Sequence, residues 1–249
     1  MAVVLKSPQE IEKMGRAGRI VHEVLELVRS KVKPGVTTYD LEKAAVARLK
    51  DLGVKAAFKG YQGYPCVLCT SVNSEVVHGI PSPKRVLKAG DIVSVDFGVV
   101  VDGYYGDAAV TIPVGAIDAD AARLLKVTEA SLQAGIAAVR PGATLGDVGA
   151  AVQGVVEREG FSVVRDFVGH GIGANMHEDP QVPNFGAPGQ GMKLRTGMVI
   201  AIEPMVNAGK PEVMVLPDGW TAVAKDGSMS AHFEHTVAVT ADGARILTV

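Results

Sequence analysis

Two stretches of this chain repeat each other at a fixed offset, and each sets an acid into an apolar strand pattern. Leu87-Lys88-Ala89-Gly90-Asp91-Ile92-Val93-Ser94-Val95-Asp96 matches Leu194-Arg195-Thr196-Gly197-Met198-Val199-Ile200-Ala201-Ile202-Glu203. Both read as a Gly-punctuated turn followed by a β-branched, apolar run, the pattern of a strand buried on both faces. A lone carboxylate in such a run should be expelled, because an unpaired buried charge is very costly. One acid at the same site in both copies points to a shared cationic partner, and a metal fits best. The same offset relates Pro34-Gly35-Val36-Thr37-Thr38-Tyr39-Asp40 to Pro141-Gly142-Ala143-Thr144-Leu145-Gly146-Asp147, and Gly53 to Gly160. Each copy holds a Thr-x-x-Asp box, in which the Thr hydroxyl caps a helix start and the Asp reaches back. The chain therefore divides into related halves, roughly 1–118 and 119–249. A period of this length exceeds the roughly 20–50 residues of solenoid repeats. The two halves are expected to pair about a pseudo-twofold axis into one α/β domain spanning 1–249, with a site between them.

Each half should supply helices first and strands second. Ser7-Pro8-Gln9-Glu10 is a capping box with Pro at the first helical position, and Ile11, Met14, Ile20, Val21, Val24, Leu25 and Val28 recur at helical spacing up to about Ser30. A second helix is predicted over 38–52, stopping at Gly53. Residues 60–90 read as strands and loops. Asp91–Val101 and Tyr104–Pro113 form a hairpin about Asp102-Gly103, a favoured two-residue turn. Helices follow at about 119–139 and 144–159, then strands and loops again.

Composition narrows the function classes. A net charge of −2 gives no electrostatic basis for nucleic acid or an anionic membrane as the main partner. No apolar run approaches the roughly 18 residues of a membrane span, and the N-terminal residues lack the apolar stretch of a signal peptide. A cytoplasmic location is the expectation. Cys66 and Cys69 form a lone C-x-x-C without the helix a redox dithiol wants or the second ligand pair a zinc knuckle needs. They read as packing residues, or as a thiol lining a pocket.

With Asp102-Gly103 as the turn, Asp96 pairs with Ala109, and Asp107 falls two residues along on the same face. Carboxylates pointing together repel unless a cation sits between them. A solvated acidic face is the bland reading, and the flanking Val93, Val95, Val99 and Val100 argue against it. Glu203 ends its apolar strand just before Pro204, and Glu234 stands at the mouth of another, Ala231-His232-Phe233-Glu234-His235-Thr236-Val237-Ala238-Val239. His170 lies in Val168-Gly169-His170-Gly171-Ile172-Gly173, where flanking glycines leave the imidazole unobstructed. A lone His is more often a core or surface residue, but this one has company. Four carboxylates and one imidazole suffice for two divalent ions and suit Mn, Fe or Co better than a thiolate-rich zinc site does. Such a pair generates hydroxide at neutral pH and polarises a carbonyl. That is hydrolase chemistry.

The ordered set Asp96, Asp107, His170, Glu203 and Glu234, with Val77-His78-Gly79-Ile80-Pro81 and Gly169-His170-Gly171-Ile172-Gly173, closely resembles the type I methionine aminopeptidases across essentially the whole chain. The resemblance implies the pita-bread fold, an α/β arrangement of two pseudo-symmetric halves about a curved antiparallel sheet. It implies that Asp96 chelates one ion, His170 and Glu203 the other, and that Asp107 and Glu234 bridge them; Co, Mn, Fe, Zn or Ni would serve. It also implies that a bridging water or hydroxide attacks the carbonyl of the N-terminal Met while Glu203 shuttles the proton. His177 would stabilise the oxyanion, and His78 would contact the scissile amide. Tyr61, Tyr64, Cys69, Met176 and Trp220 would line the pocket for the thioether side chain. This chain departs from bacterial members that carry Phe before the second histidine and a small thiol residue at the place of Phe58. His22 and His235 receive no role.

The implied substrates are peptide N-termini beginning with Met and followed by a small residue, met on nascent chains near the ribosome, and a monomer is expected. Two rivals remain. An Xaa-Pro peptidase of the same fold usually carries an additional N-terminal domain, which the segment before His78 is too short to hold. The other is a non-catalytic binding protein that has lost its metal.

Overall fold

The computed structural model describes residues 3–249. The first half runs α1 (Pro8–Lys31), α2 (Thr38–Leu52), β1 (Lys55–Ala56), β2 (Leu68–Val72), β3 (Glu75–Val77), β4 (Ile92–Val101) and β5 (Tyr104–Pro113). The second runs α3 (Ala119–Ala138), α4 (Leu145–Arg158), β6 (Ser162–Val163), β7 (Gly169–Gly171), β8 (Glu178–Val182), β9 (Val199–Ile202) and β10 (Met205–Asn207). It closes with β11 (Val213–Val215), β12 (Ala222–Ala224), β13 (Ser230–His232), β14 (Glu234–Thr240) and β15 (Gly243–Ile246). The helix starts follow the sequence. Ser7, Thr37 and Thr144 each cap a helix through a complete capping box closed by Glu10, Asp40 and Asp147, and each such cap is worth about 1 kcal/mol. Gly53 ends α2 in the left-handed conformation.

An antiparallel sheet in the order β1-β4-β5-β14-β9-β7-β8, with β2 on β4 and β15 on β14, forms the frame. The β4–β5 hairpin pairs Asp96 with Ala109, as its sequence predicts. The repeat survives as register. Ala56 pairs with Val99 and Val163 with Val206, while Thr37 bridges Val86 and Thr144 bridges Lys193. Every member of the later pairs follows its counterpart by the same offset that carries Leu87 onto Leu194. The two halves thus meet where β5 joins β14, a short junction of Glu234 with Ala109 and His235 with Ala108. This is the pita-bread arrangement.

Helices cover one face of the sheet and bury its apolar side chains in a core that includes Val24, Leu41, Ile92, Phe97, Leu124, Val148, Ile200 and Val237. Helix α1 lies close against the sheet because Gly18 and Gly106 face each other; a Cβ on Gly18 would sit 2.0 Å from the carbonyl oxygen of Leu247. Packed backbone leaves no such latitude. The other face is left open as a pocket. No helix among the described residues is long and apolar enough to cross a membrane.

Candidate metal centre and substrate pocket

Five strands or strand ends bring the site residues to one point. Asp96 sits mid-way along β4 between Cys69 and Ala109, Asp107 lies on β5, Glu203 follows the last residue of β9, and Glu234 opens β14 opposite Ala109. His170 comes from β7. Its flanking glycines are required by packing: a Cβ on Gly169 or Gly171 would lie 2.3 Å from the carbonyl oxygen of Ala201 or Asp179. The backbone of Asp107 is held by Thr236, whose hydroxyl accepts from Asp107 N at 3.2 Å and donates to Asp107 O at 2.8 Å.

Ligand atoms of Asp107, His170 and Glu234 all lie within 4.8 Å of one another. His170 Nε2 is 3.6 Å from Glu203 Oε1 and 4.0 Å from Asp107 Oδ2. The Nδ1 of His170 contacts the carbonyl oxygen of Gly171 at 2.9 Å. A carbonyl only accepts, so Nδ1 carries the proton and Nε2 presents its lone pair to the carboxylates, the tautomer a metal ligand needs.

The electrostatics point the same way. Burial, and then the charges of Asp107 and Glu203, hold Asp96 well above the usual carboxylate range. Asp107 is pushed up to about 7 by burial, with the adjoining Asp96 carboxyl drawing it back down. Glu203 and Glu234 are raised by burial and by the neighbouring acids. Burial pushes His170 down to about 3, keeping its ring neutral. Four buried acids, three of them raised further by their neighbours, with no cationic side chain lining the pocket around them, ionise together only when positive charge enters from outside the chain.

The residues fit divalent metal ions. Asp96 Oδ1, Asp107 Oδ1 and Glu234 Oε1 are buried and have no hydrogen-bond partner among the described residues, so three acceptors stand ready for a cation. Four carboxylates with one imidazole are an oxygen-rich donor set for borderline and hard cations. The nearby Cys69 does not belong to it, because burial and Asp96 hold its thiol protonated.

Above the acids lies a pocket of about 260 Å³. Phe58, Tyr61, Tyr64, Cys69, Met176 and Trp220 supply an apolar wall, with His78 and His177 beside the carboxylates. Every sequence-predicted site residue lines this one space. Gln62, which sequence reasoning passed over, lines it too. Tyr64 is fixed by donating to Leu68 O at 2.9 Å and Gly79 O at 3.0 Å. His78 adopts φ 62°, a conformation costing about 1–3 kcal/mol in a side-chain-bearing residue. Gly79 beside it passes so close to β2 that a Cβ would lie 2.2 Å from Thr70 O. The His78 ring stands edge-on to Phe167 and Trp220.

His177 Nδ1 is 2.8 Å from the Tyr61 hydroxyl, and its ring centroid is 4.2 Å from that of His170. The C-x-x-C cysteines are free, and Cys69 is a pocket-lining thiol on β2. His235 faces away from the acids and bonds Thr248 at 2.8 Å. One further histidine was not singled out by the sequence: His232 is 1% exposed and its Nε2 lies 3.7 Å from Glu203 Oε2. The break between β13 and β14 at Phe233 hides its approach to the site in a one-dimensional strand pattern.

Comparison with known proteins agrees with this geometry. Residues 12–241 match metallopeptidase family M24. The chain is 51% identical over 247 residues to methionine aminopeptidase A of Synechocystis sp., covering 99% of this chain and 98% of that one. It superposes on the crystal structure of methionine aminopeptidase from Thermotoga maritima with a TM-score of 0.98 and 53% identity over 99% of both chains. The prolidase of Pyrococcus horikoshii shares the fold alone, with a TM-score of 0.77 and 22% identity over 99% of this chain and 63% of that one.

Proposed function

This chain belongs to metallopeptidase family M24, among its methionine aminopeptidases, and from that membership we propose how its own residues release an N-terminal methionine. The enzyme is a hydrolase that depends on divalent metal. We assign two ions to the five clustered residues: Asp96 would hold one, His170 and Glu203 would hold the other, and Asp107 and Glu234 would serve both. Ions bound there supply Lewis acidity and lower the pKa of water toward ~7.

The rest of the chemistry falls to side chains. Glu203 takes a proton from the attacking water at one carboxylate oxygen and delivers it to the leaving amine. His177 donates from Nε2 to the carbonyl oxygen of the methionine as negative charge develops there, a contribution of a few kcal/mol for a well-placed donor. Tyr61 makes that possible: when its hydroxyl donates to His177 Nδ1, the single proton of the neutral ring must sit on Nε2. Desolvation holds the His177 pKa down, so the ring is neutral at physiological pH. His78 contacts the scissile amide. The apolar wall of Phe58, Tyr61, Tyr64, Cys69, Met176 and Trp220 takes the thioether and excludes water. Met176 and Phe58 shape this wall and so set its response to bulkier ligands.

The observation that carries this reading is the set of three buried carboxylate oxygens left without partners beside an apolar pocket. We take the working form to be a monomer; action on nascent chains at the ribosome, in the cytoplasm, follows from the family's task. The test is release of Met from Met-Ala and Met-Leu peptides with Mn, Fe, Co or Zn supplied, with and without chelator. Chelator-sensitive release, favouring Ala over Leu, is expected. Cleavage of Xaa-Pro peptides in its place, or no cleavage with any of the metals, would overturn the proposal.

A further inference from the structure

The proposed reaction leaves one buried imidazole beside the site unused. His232 Nε2 has no hydrogen-bond partner among the described residues. An unmet polar atom of this kind is destabilising unless something arrives to meet it. What faces it is Glu203: Oε2 of that carboxylate is 3.7 Å from His232 Nε2, while Oε1 is 3.6 Å from His170 Nε2. One carboxylate thus stands between two imidazoles, only one of which is a proposed ligand.

The internal symmetry identifies what kind of position His232 occupies. Val95 pairs with Val110 as Ile202 pairs with His235. One offset therefore carries Val95 onto Ile202, and a second, longer one carries Val110 onto His235. The same two offsets carry the pair Gly98 and Asp107 onto Met205 and His232. The longer one also carries Thr111 onto Thr236. Thr236 clamps both backbone groups of Asp107, and Thr111 clamps both of His232, accepting from N at 2.9 Å and donating to O at 2.8 Å. His232 is therefore the second-half counterpart of Asp107, fixed by the same device and aimed at the same site, with a donor in place of an acid.

We propose that His232 is a positioning residue for Glu203, donating from Nε2 to Oε2 and so directing Oε1 toward His170 and the ion they share. This rests on the reading of Glu203 as ligand and proton shuttle. The donor fixes the rotamer of the carboxylate and separates the tasks of its oxygens: one holds the ion, and the other exchanges the proton. Donors that orient a metal ligand in this way are worth about 10- to 100-fold in metal affinity or rate.

The experiment compares wild type with His232→Leu, which fills the space without a donor, and His232→Gln, which restores an N–H at similar reach. Each metal-free protein is titrated calorimetrically with Co(II), and each Co-loaded enzyme is assayed on a Met-Ala peptide. His232→Leu should lose about 10- to 100-fold in the affinity of one binding step and a similar factor in kcat, with KM within about twofold. His232→Gln should recover both to within about threefold of wild type. Nitrogen-15 spectra of the zinc-loaded wild type should place the His232 proton on Nε2, a readout that needs no variant to fold. Unchanged affinity and kcat in His232→Leu, equal losses in both variants, or a bare Nε2 in the spectra would overturn the proposal. If wild type releases no methionine with any metal, the functional reading fails, while the Co(II) affinities and the spectra still judge His232.

Discussion

Removing the metal and raising the pH from 7 to 8 should destabilise this protein, and the structure sets the size of the loss. In the metal-free fold Asp96, Glu203 and Glu234 are held well above the carboxylate range and Asp107 is pushed up to about 7, in each case chiefly by burial. In the unfolded chain all four ionise near pH 4. A carboxyl with a raised folded pKa stabilises the fold fully below its unfolded pKa, and that contribution disappears as pH rises through the folded value. The buried histidines act in the opposite sense: His78 and His235 are lowered to about 4 and His170 and His232 to about 3 by burial, so they oppose the carboxylates up to the unfolded imidazole pKa of about 6.5. Above pH 7 both states have neutral imidazoles, and the protons retained by the folded carboxyls dominate. Each retained proton makes stability fall by about 1.4 kcal/mol per pH unit. One or two such protons give a loss of about 1–3 kcal/mol between pH 7 and 8. Metal ions displace those protons, because ligands bind deprotonated, so the loaded enzyme should show little of this slope. The assay is the urea midpoint at fixed ionic strength, with chelator or with saturating Mn, at pH 7.0, 7.5 and 8.0. Cys69 and Tyr64, both raised by burial, contribute equally to the two series and cancel in the comparison. Equal slopes with and without metal would refute the reasoning, since the protons would then reside elsewhere.

Three further outcomes test how the pocket is held. Lys6 Nζ pairs with Glu178 at 2.5 Å, with side chains 3% and 9% exposed; Lys6→Met should cost about 3–5 kcal/mol, a Tm loss of about 6–20 °C, and the double variant Lys6→Met/Glu178→Gln should recover part of it, whereas additive losses in calorimetry would exclude coupling. Glu42 accepts from Val67 N at 2.9 Å and Leu68 N at 3.0 Å, so Glu42→Gln, which turns an amide donor toward one of these N–H groups, should lower stability by about 1–3 kcal/mol in urea denaturation. Tyr61→Phe removes the hydroxyl bonded to His177 and should lower kcat about tenfold with little change in metal affinity; normal turnover would exclude its control of the tautomer.

The sequence made the frame legible wherever a local signal set local structure. The Thr37 and Thr144 boxes cap helices in which every bond is closed within four residues, and the Asp102-Gly103 turn fixed the register that places Asp96 opposite Ala109. The acids were visible because each interrupts an apolar run. His232 was not, since β13 and β14 are separate strands and its approach to Glu203 depends on the bend between them. Lys6 was equally hidden: a lysine near the N-terminus carries no mark of its partner 172 residues away. Features that depend on one residue's neighbours along the chain can be read in one dimension, whereas long-range pairs require the fold.

The register also explains why a duplicated frame can support an unsymmetrical reaction. Capping boxes, isolated bridges and the threonine clamps occur in both halves at matching positions. Residues on the pocket side of the same strands do not match: Asp96 corresponds to Glu203, Ala109 to Glu234 and Asp107 to His232. Four like acids around an exact dyad would bind ions equally and give a proton no preferred direction. On the proposed ligand assignment, lengthening Asp to Glu would let one carboxylate reach beyond its ion, and the imidazoles of His170 and His232 stand on either side of its two oxygens. The symmetric elements therefore account for placement, and the mismatched positions account for direction. On this argument, Glu203→Asp should retain the fold and bind metal yet lose most turnover, because the shorter carboxylate cannot contact the ion and the substrate together; a near-normal kcat would show that its reach is immaterial.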